Sequence, residues 1–256
     1  MVFTVDVGNT NIVLGAFDGD KLVFTSRVAT ESAKMCDQYA IEFLDILRLN
    51  GCNETQFDGA ILSTVVPQLM PTLRDALDKL FRCKTLVVGP GIKTGLNIKI
   101  DDPAILGADL VCGAVAALAK YAPPLIIFDL GTATTISAID KSGAFLGGSI
   151  FPGVRVSLNA LSASAAQLPF VNTELTSDYP IGKNSIDSMK SGLILGTAAM
   201  IDGMADRYKA VIGDDATVIA TGGLAPSICR HCMREITVEP SLLLEGLHLL
   251  YIKNSI

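Results

Sequence analysis

The sequence carries one local design twice. Near its start, VFTVDVGNTNIVLGAFD runs an apolar segment into Asp6, then Gly8, Asn9, Thr10 and Asn11, then a second apolar segment. Near its middle, IIFDLGTATT (Ile126–Thr135) runs into Asp129, then Gly131, Thr132, Thr134 and Thr135, and continues as the alternating TTISAID. An apolar run ending on Asp-x-Gly reads as a buried strand that delivers a carboxylate and then lets the backbone come close to something. One such hairpin is an ordinary turn composition, because Asp, Gly, Asn and Thr dominate turns. Two matched copies about half a chain apart point to a duplicated domain with facing phosphate loops. Glycine admits the phosphate, hydroxyl and amide groups donate to it, and the carboxylate holds a cation that offsets its charge.

The rest of the chain follows the same order twice. After the first hairpin, Asp18-Gly19-Asp20 turns into a third strand, Lys21–Val28. A helix over Asp37–Leu49 stops at Gly51, Gly59–Val66 is a buried strand, Pro67 opens a helix, and Thr85–Val88 is a strand. The second half gives strands Leu125–Leu130, Thr134–Ile139 and Ala144–Ile150, then helices over Val154–Gln167 and Ser185–Tyr208. Strand Thr217–Ala220, short helix Leu224–Cys232, strand Ile236–Val238 and closing helix Ser241–Ile252 complete it. The expectation is two α/β domains, 1–122 and 123–256, each a mixed sheet flanked by helices, with a cleft where they meet.

Between the halves, Asp102-Pro103 reads as the cap and first position of a helix running to Lys120, apolar nearly all round and therefore buried. Asp109 is its interior charge, with Ile105, Leu106, Cys112 and Gly113 as helical neighbours. A carboxylate there finds a partner or costs several kcal/mol. Facing a cleft with raised proton affinity, it suits a general base. Gly147–Gly153 (GGSIFPG) and Ala220–Gly223 (ATGG) each end a strand before a helix, where amides could cradle a phosphate or a ribose. Neither a P-loop nor a G-x-G-x-x-G is present.

Composition narrows the class of partner. Half of the 256 residues are hydrophobic and 18% charged, enough for one large core or two modest ones. A net charge of −6 without a basic run argues against nucleic acid. No apolar run reaches the roughly 20 residues of a membrane span, and the N-terminus lacks a basic signal-peptide region. A cytoplasmic protein is expected. Its six cysteines are scattered; Cys229-Arg-His-Cys232 has CxxC spacing but no second ligand pair, so it reads as reduced thiols on a short helix.

Taken together, DVGNTN (Asp6–Asn11), GADL (Gly107–Leu110), DLGTATT (Asp129–Thr135), GGSIFPG, GKNS (Gly182–Ser185) and ATGG resemble the type III pantothenate kinases, end to end. These belong with the acetate kinase, sugar kinase, heat-shock and actin superfamily. The resemblance implies two ribonuclease H-like (actin/hexokinase-superfamily) domains with an ATP cleft between them. It also implies phosphorylation of pantothenate to 4'-phosphopantothenate, the first step of coenzyme A biosynthesis. It places ATP on Asp6, Val7, Gly8, Asn9, Thr10, Asn11, Ile12, Val13, Thr132, Gly222 and Gly223, with Mg²⁺ on Asp6. It places pantothenate on Gly107, Ala108, Asp109, Leu110, Asn184 and Ser185, with Asp109 as the base. Asp129 would hold a monovalent cation, K⁺ or NH₄⁺, and the family forms homodimers with the pantothenate pocket near the interface.

Two residues depart from the family pattern: Leu110 stands where Arg is usual and Ile100 where Tyr is common. An anionic substrate then needs another cation, and Arg155, two residues past Gly153, is the candidate in sequence, with a solvated surface position as the alternative. Two other functions compete: a non-catalytic nucleotide-binding regulator of the transcription accessory type, and a kinase of another small hydroxyl substrate such as a sugar. The intact Asp6, Asp109 and Asp129 favour an enzyme.

Overall fold

The computed structural model describes residues 1–165, 168, 169, 171 and 180–255. They form two compact units. The first comprises Met1–Leu96, Asp102–Ala116 and Leu242–Ile256; the second comprises Asn97–Asp101 and Ala117–Ser241. A cut at 122/123 follows chain order, whereas packing returns the last helix to the first unit and moves Asn97–Asp101 to the second. Among the described residues no helix is long and apolar enough to cross a membrane.

In the first unit, β1 (Val2–Val7), β2 (Asn11–Asp18), β3 (Lys21–Ala29), β4 (Gly59–Thr64) and β5 (Leu86–Val87) form a sheet in the order β3-β2-β1-β4-β5. β1 pairs antiparallel with β2 and parallel with β4. Side chains alternate across a strand, so one face of β1 and β4 carries Phe3, Val5, Val7, Ala60 and Leu62. Helices α1 (Cys36–Leu49) and α2 (Met70–Phe81) cover that face with Phe43, Leu47, Leu73 and Leu77. The proline-initiated helix expected at 67 begins as a 3₁₀ turn, Pro67–Leu69, before α2.

The opposite face carries Val2 and Ile61 against α3 (Ala108–Lys120) and α7 (Leu242–Asn254). α3 and α7 touch backbone to backbone: a Cβ on Gly246 would fall 2.0 Å from the Cys112 carbonyl oxygen. By the same alternation, Asp6 and Ser63 lie on the face covered by α3.

The second unit repeats the topology. Strands β7 (Leu125–Leu130), β8 (Ala133–Ile139), β9 (Ala144–Pro152), β10 (Thr217–Thr221) and β11 (Thr237–Val238) stand in the order β11-β10-β7-β8-β9, and β6 (Asn97–Ile98) pairs with the outer edge of β9. Helices α4 (Val154–Ser164), α5 (Ser185–Ile212) and α6 (Ala225–Cys229) pack on the face lined by Ile126, Phe128, Val218 and Ala220. The expected extension of α4 to Gln167 reaches residues outside those described.

Gly147 and Gly148 lie inside β9, within the expected strand Ala144–Ile150, paired with Ala138 and Ser137, and β9 ends just before α4. A Cβ at Gly148 would meet the Ile136 carbonyl at 1.7 Å, so glycine there permits strand packing. Asp102 does not cap the long helix. It caps the 3₁₀ turn Pro103–Ile105, accepting from the Ala104 N–H at 3.0 Å, and the chain turns extended at Leu106 before α3 begins at Ala108.

Candidate active site

Asp109 therefore sits in the first turn of α3, with Ile105 and Leu106 outside its helix. The unpaired amides of a helix start favour a carboxylate at such a position. Its Oδ1 accepts the Leu110 N–H at 2.9 Å, and a Cβ on Gly107 would lie 2.4 Å from that oxygen. Burial nevertheless raises its proton affinity above the ordinary carboxylate value, against the lowering effect of the amides. One turn on, Gly113 is buried, yet a Cβ there would meet nothing within 4 Å.

Asp6 ends β1 on the same side of the sheet. Ser63, its register partner on β4, donates a short hydrogen bond to Asp6 Oδ1. Burial pushes the Asp6 pKa up to about 6; Ser63 opposes the rise and the charge of Asp109 adds to it. Cys112, fully buried one turn after Asp109, interacts with Asp6, Asp109 and Ser63, and burial drives its thiol well above the ordinary value. Asp6, Ser63, Asp109 and Cys112 are thus one cluster in the first unit, an arrangement of two carboxylates with unusual affinity for protons or cations.

The hairpin loop after Asp6 is held from outside. The Gly8 N–H bonds the Asn11 carbonyl at 3.0 Å, the Thr30 hydroxyl donates to the Gly8 carbonyl at 2.7 Å, and the Thr30 N–H bonds the Thr10 carbonyl at 3.0 Å. Asn9 and Thr10 are exposed, whereas the Val7 and Ile12 side chains are core, the two residues pair across the hairpin, and the Val7 carbonyl accepts the Val65 N–H at 3.0 Å. Asn11 and Val13 are half-buried on β2.

In the second unit, Asp129 ends β7 with Thr221 as its register partner on β10, as Ser63 is for Asp6. Gly222 follows at φ +92°, and a Cβ there would lie 2.6 Å from Asp129 Oδ1 and 2.7 Å from the Leu130 backbone. The ATGG turn thus lies directly on the DLG turn. Gly153 packs equally closely: its N–H bonds the Thr132 carbonyl at 3.1 Å, and a Cβ would fall 2.3 Å from that oxygen. Thr132 and Gly223 are exposed beside these contacts.

The remaining expected residues divide. Gly107, Ala108 and Leu110 surround the start of α3 with Asp109. Asn184 is the N-cap of α5, its side-chain Oδ1 accepting the Asp187 N–H at 2.9 Å and its Nδ2 donating to the Asp187 carboxylate at 2.7 Å; Ser185 is exposed beside it. The Asn-x-x-Asp spacing is a helix-start pattern legible in sequence. Arg155 is exposed on the first turn of α4, and Ile100 lies near Gly147. Ser63 and Thr30 escaped the sequence reading, and Cys112 entered it only as a helical neighbour of Asp109. Thr221 occupies the place corresponding to Ser63 in the second unit, but by strand register and not by spacing from the aspartate.

A family model described as type III pantothenate kinase matches residues 2–207. A protein of Exiguobacterium named type III pantothenate kinase is 44% identical over 254 residues, 99% of each chain. Among solved structures, a Baf family transcriptional activator from Campylobacter jejuni aligns with a TM-score of 0.61 and 18% identity over 99% of this chain and 98% of the other. The activator of 2-hydroxyisocaproyl-CoA dehydratase from Clostridium difficile, with bound ADPNP, gives 0.59 and 12% over 99% and 95%. These two share the fold; the family rests on the sequence matches. The chain belongs to the type III pantothenate kinase family.

Proposed function

We propose that the protein transfers the γ-phosphoryl group of ATP to the primary hydroxyl of pantothenate, yielding 4'-phosphopantothenate, with Asp109 as general base. The observation that carries this reading is the pairing of Asp109 with Asp6 in one partly buried cluster. Burial raises the proton affinity of Asp109, as a group that must take a hydroxyl proton requires. The helix start at Ala108 orients it, and Gly107 keeps its oxygen free of a neighbouring side chain.

The loop Asp6–Asn11 offers amides and small polar groups to phosphates, while Gly222 and Gly223 leave close backbone access for the nucleoside. Asp6 would hold Mg²⁺. The fit is chemical: Mg²⁺ is usually bound by one or two carboxylates plus substrate phosphates and water, and two mutually repelling carboxylates gain from a cation. When bound, the ion neutralises charge on the β- and γ-phosphates. Asp129, packed against Gly222, would hold K⁺ or NH₄⁺ and brace that turn. Asn184 and Ser185 would touch pantothenate from the start of α5.

The reading extends to a cytoplasmic homodimer. Exposed Ile150, Val156 and Leu161 give β9 and α4 apolar surface to bury in one, and six free cysteines suit a reducing compartment.

ADP release measured with pantothenate, glucose, glycerol and acetate in turn tests the proposal. ADP formation with pantothenate alone is expected. Turnover of a sugar instead would move the acceptor, and ATP binding without turnover of any of them would make the chain a regulator.

A further inference from the structure

We propose that Cys229 and Cys232 form a dithiol site that a low-molecular-weight disulfide closes into a reversible intramolecular disulfide. The inference is independent of the catalytic assignments above. α6 ends on Cys229, and the following turn is hydrogen-bonded: the His231 N–H bonds the Ile228 carbonyl at 2.9 Å and the Cys232 N–H bonds the Cys229 carbonyl at 3.1 Å. A turn closed in this way brings its first and fourth Cα atoms within about 7 Å, the span that a disulfide bridges.

The two thiols lie near enough to perturb each other: their interaction holds the Cys229 thiol below its ordinary value and the Cys232 thiol above it. Cys229 is buried, whereas Cys232 is partly exposed and touches the Ala198 carbonyl at 3.7 Å. Arg234, ion-paired with Asp202 at 3.2 Å, offsets only part of the rise that Cys229, burial and Asp202 impose on the Cys232 thiol. One thiol is therefore open to reagent and the other waits behind it. The four remaining cysteines are distributed over the first unit, Cys36 and Cys112 within helices and Cys52 and Cys83 beyond helix ends.

The exchange balances. Cys229 is the more acidic thiol but is buried, so the partly exposed Cys232 passes its proton to the Cys229 thiolate and attacks one sulfur of the small disulfide. This releases one thiolate and leaves a mixed disulfide; Cys229 gives that proton up to the released thiolate. The Cys229 thiolate then attacks the Cys232 sulfur and expels the second. The protein loses two electrons and two protons, which leave on two molecules of small thiol. The ring closes at the far end of the short helix that opens on the Gly222–Gly223 turn, where the Ala225 N–H bonds the Gly222 carbonyl at 3.1 Å.

Incubating the reduced native protein with oxidised glutathione, then alkylating free thiols and mapping peptides by mass, tests this. The expected result is loss of two hydrogens on the peptide spanning Cys229 and Cys232, restored by dithiothreitol, with the other four cysteines alkylated. Cys229→Ser should halt the reaction at a glutathione adduct on Cys232. Two alkylatable thiols persisting in that peptide, a stable glutathione adduct on the unsubstituted protein, or closure seen only after denaturation would each overturn the proposal.

Discussion

Asp6 and Asp129 stand at the same place in two sheets of the same order, each the fifth residue of a central strand and each beside a hydroxyl on the next parallel strand. Their surroundings differ. Around Asp6 the fold supplies a second carboxylate, a thiol and a loop tied down by the Thr30 side chain. Around Asp129 it supplies close-packed backbone: Gly222 on the carboxylate and Gly153 on the Thr132 carbonyl. One frame thus carries two surroundings: the first hairpin gathers carboxylates and a thiol, whereas the second packs backbone against its carboxylate.

The sharpest way to break this contrast is Asp109→Asn. If the chemistry resides in the first unit, the variant folds and binds ATP but loses about 10²–10⁴-fold in turnover. Full activity would return Asp109 to a structural role. Next comes the cation: with Na⁺ or Tris in place of K⁺, activity should fall at least about tenfold, a change of ~1.4 kcal/mol in the barrier. Equal rates in both buffers would remove the cation from Asp129.

Stability separates the hairpins further. Asp6 has a folded pKa of about 6 against an ordinary 3.8, so stability is lost as the pH rises from 3.8 to about 6, and the loss is complete above that value. Asp6→Asn should therefore melt higher at neutral pH, by up to about 3 kcal/mol. That gain should shrink as the pH falls from 6 towards 3.8. A variant less stable at all pH values would show that the Ser63 bond outweighs burial. In the second hairpin, Gly222→Ala should cost about 1–3 kcal/mol through collision and left-handed strain. Thr64 occupies the matching place after Ser63 and accepts a side chain, its oxygen receiving the Val66 N–H at 2.9 Å. Thr64→Ala should lose about 0.5–1.5 kcal/mol in thermal melts, and equal losses at both positions would dissolve the distinction.

Local pattern revealed what local chemistry determines. β7 was expected at Leu125–Leu130 and lies there, because a continuous apolar run ending on Asp-x-Gly has few other uses. The two-residue β6 gave no signal, since its partner on β9 is 47 residues away and two residues carry no period. Ser63 stayed hidden for the same reason: its role comes from pairing with a strand 57 residues distant. Asp109 was found by its isolation among apolar residues, but the break at Leu106 placed it at a helix start and not inside one.

Helix α7 is made after every residue of the second unit, yet it covers the first sheet. Val2, Phe17 and Ile61 have Leu244, Leu247 and Leu250 in their cluster. During synthesis the second unit can close while the first still shows an uncovered apolar face, because domains fold as they emerge at about 5–20 residues per second. The face of β1 that carries Val2 is therefore covered only once α7 has been made. A ribosome stalled before Leu242 would present an adhesive, half-covered sheet to whatever chaperone or neighbour is nearest.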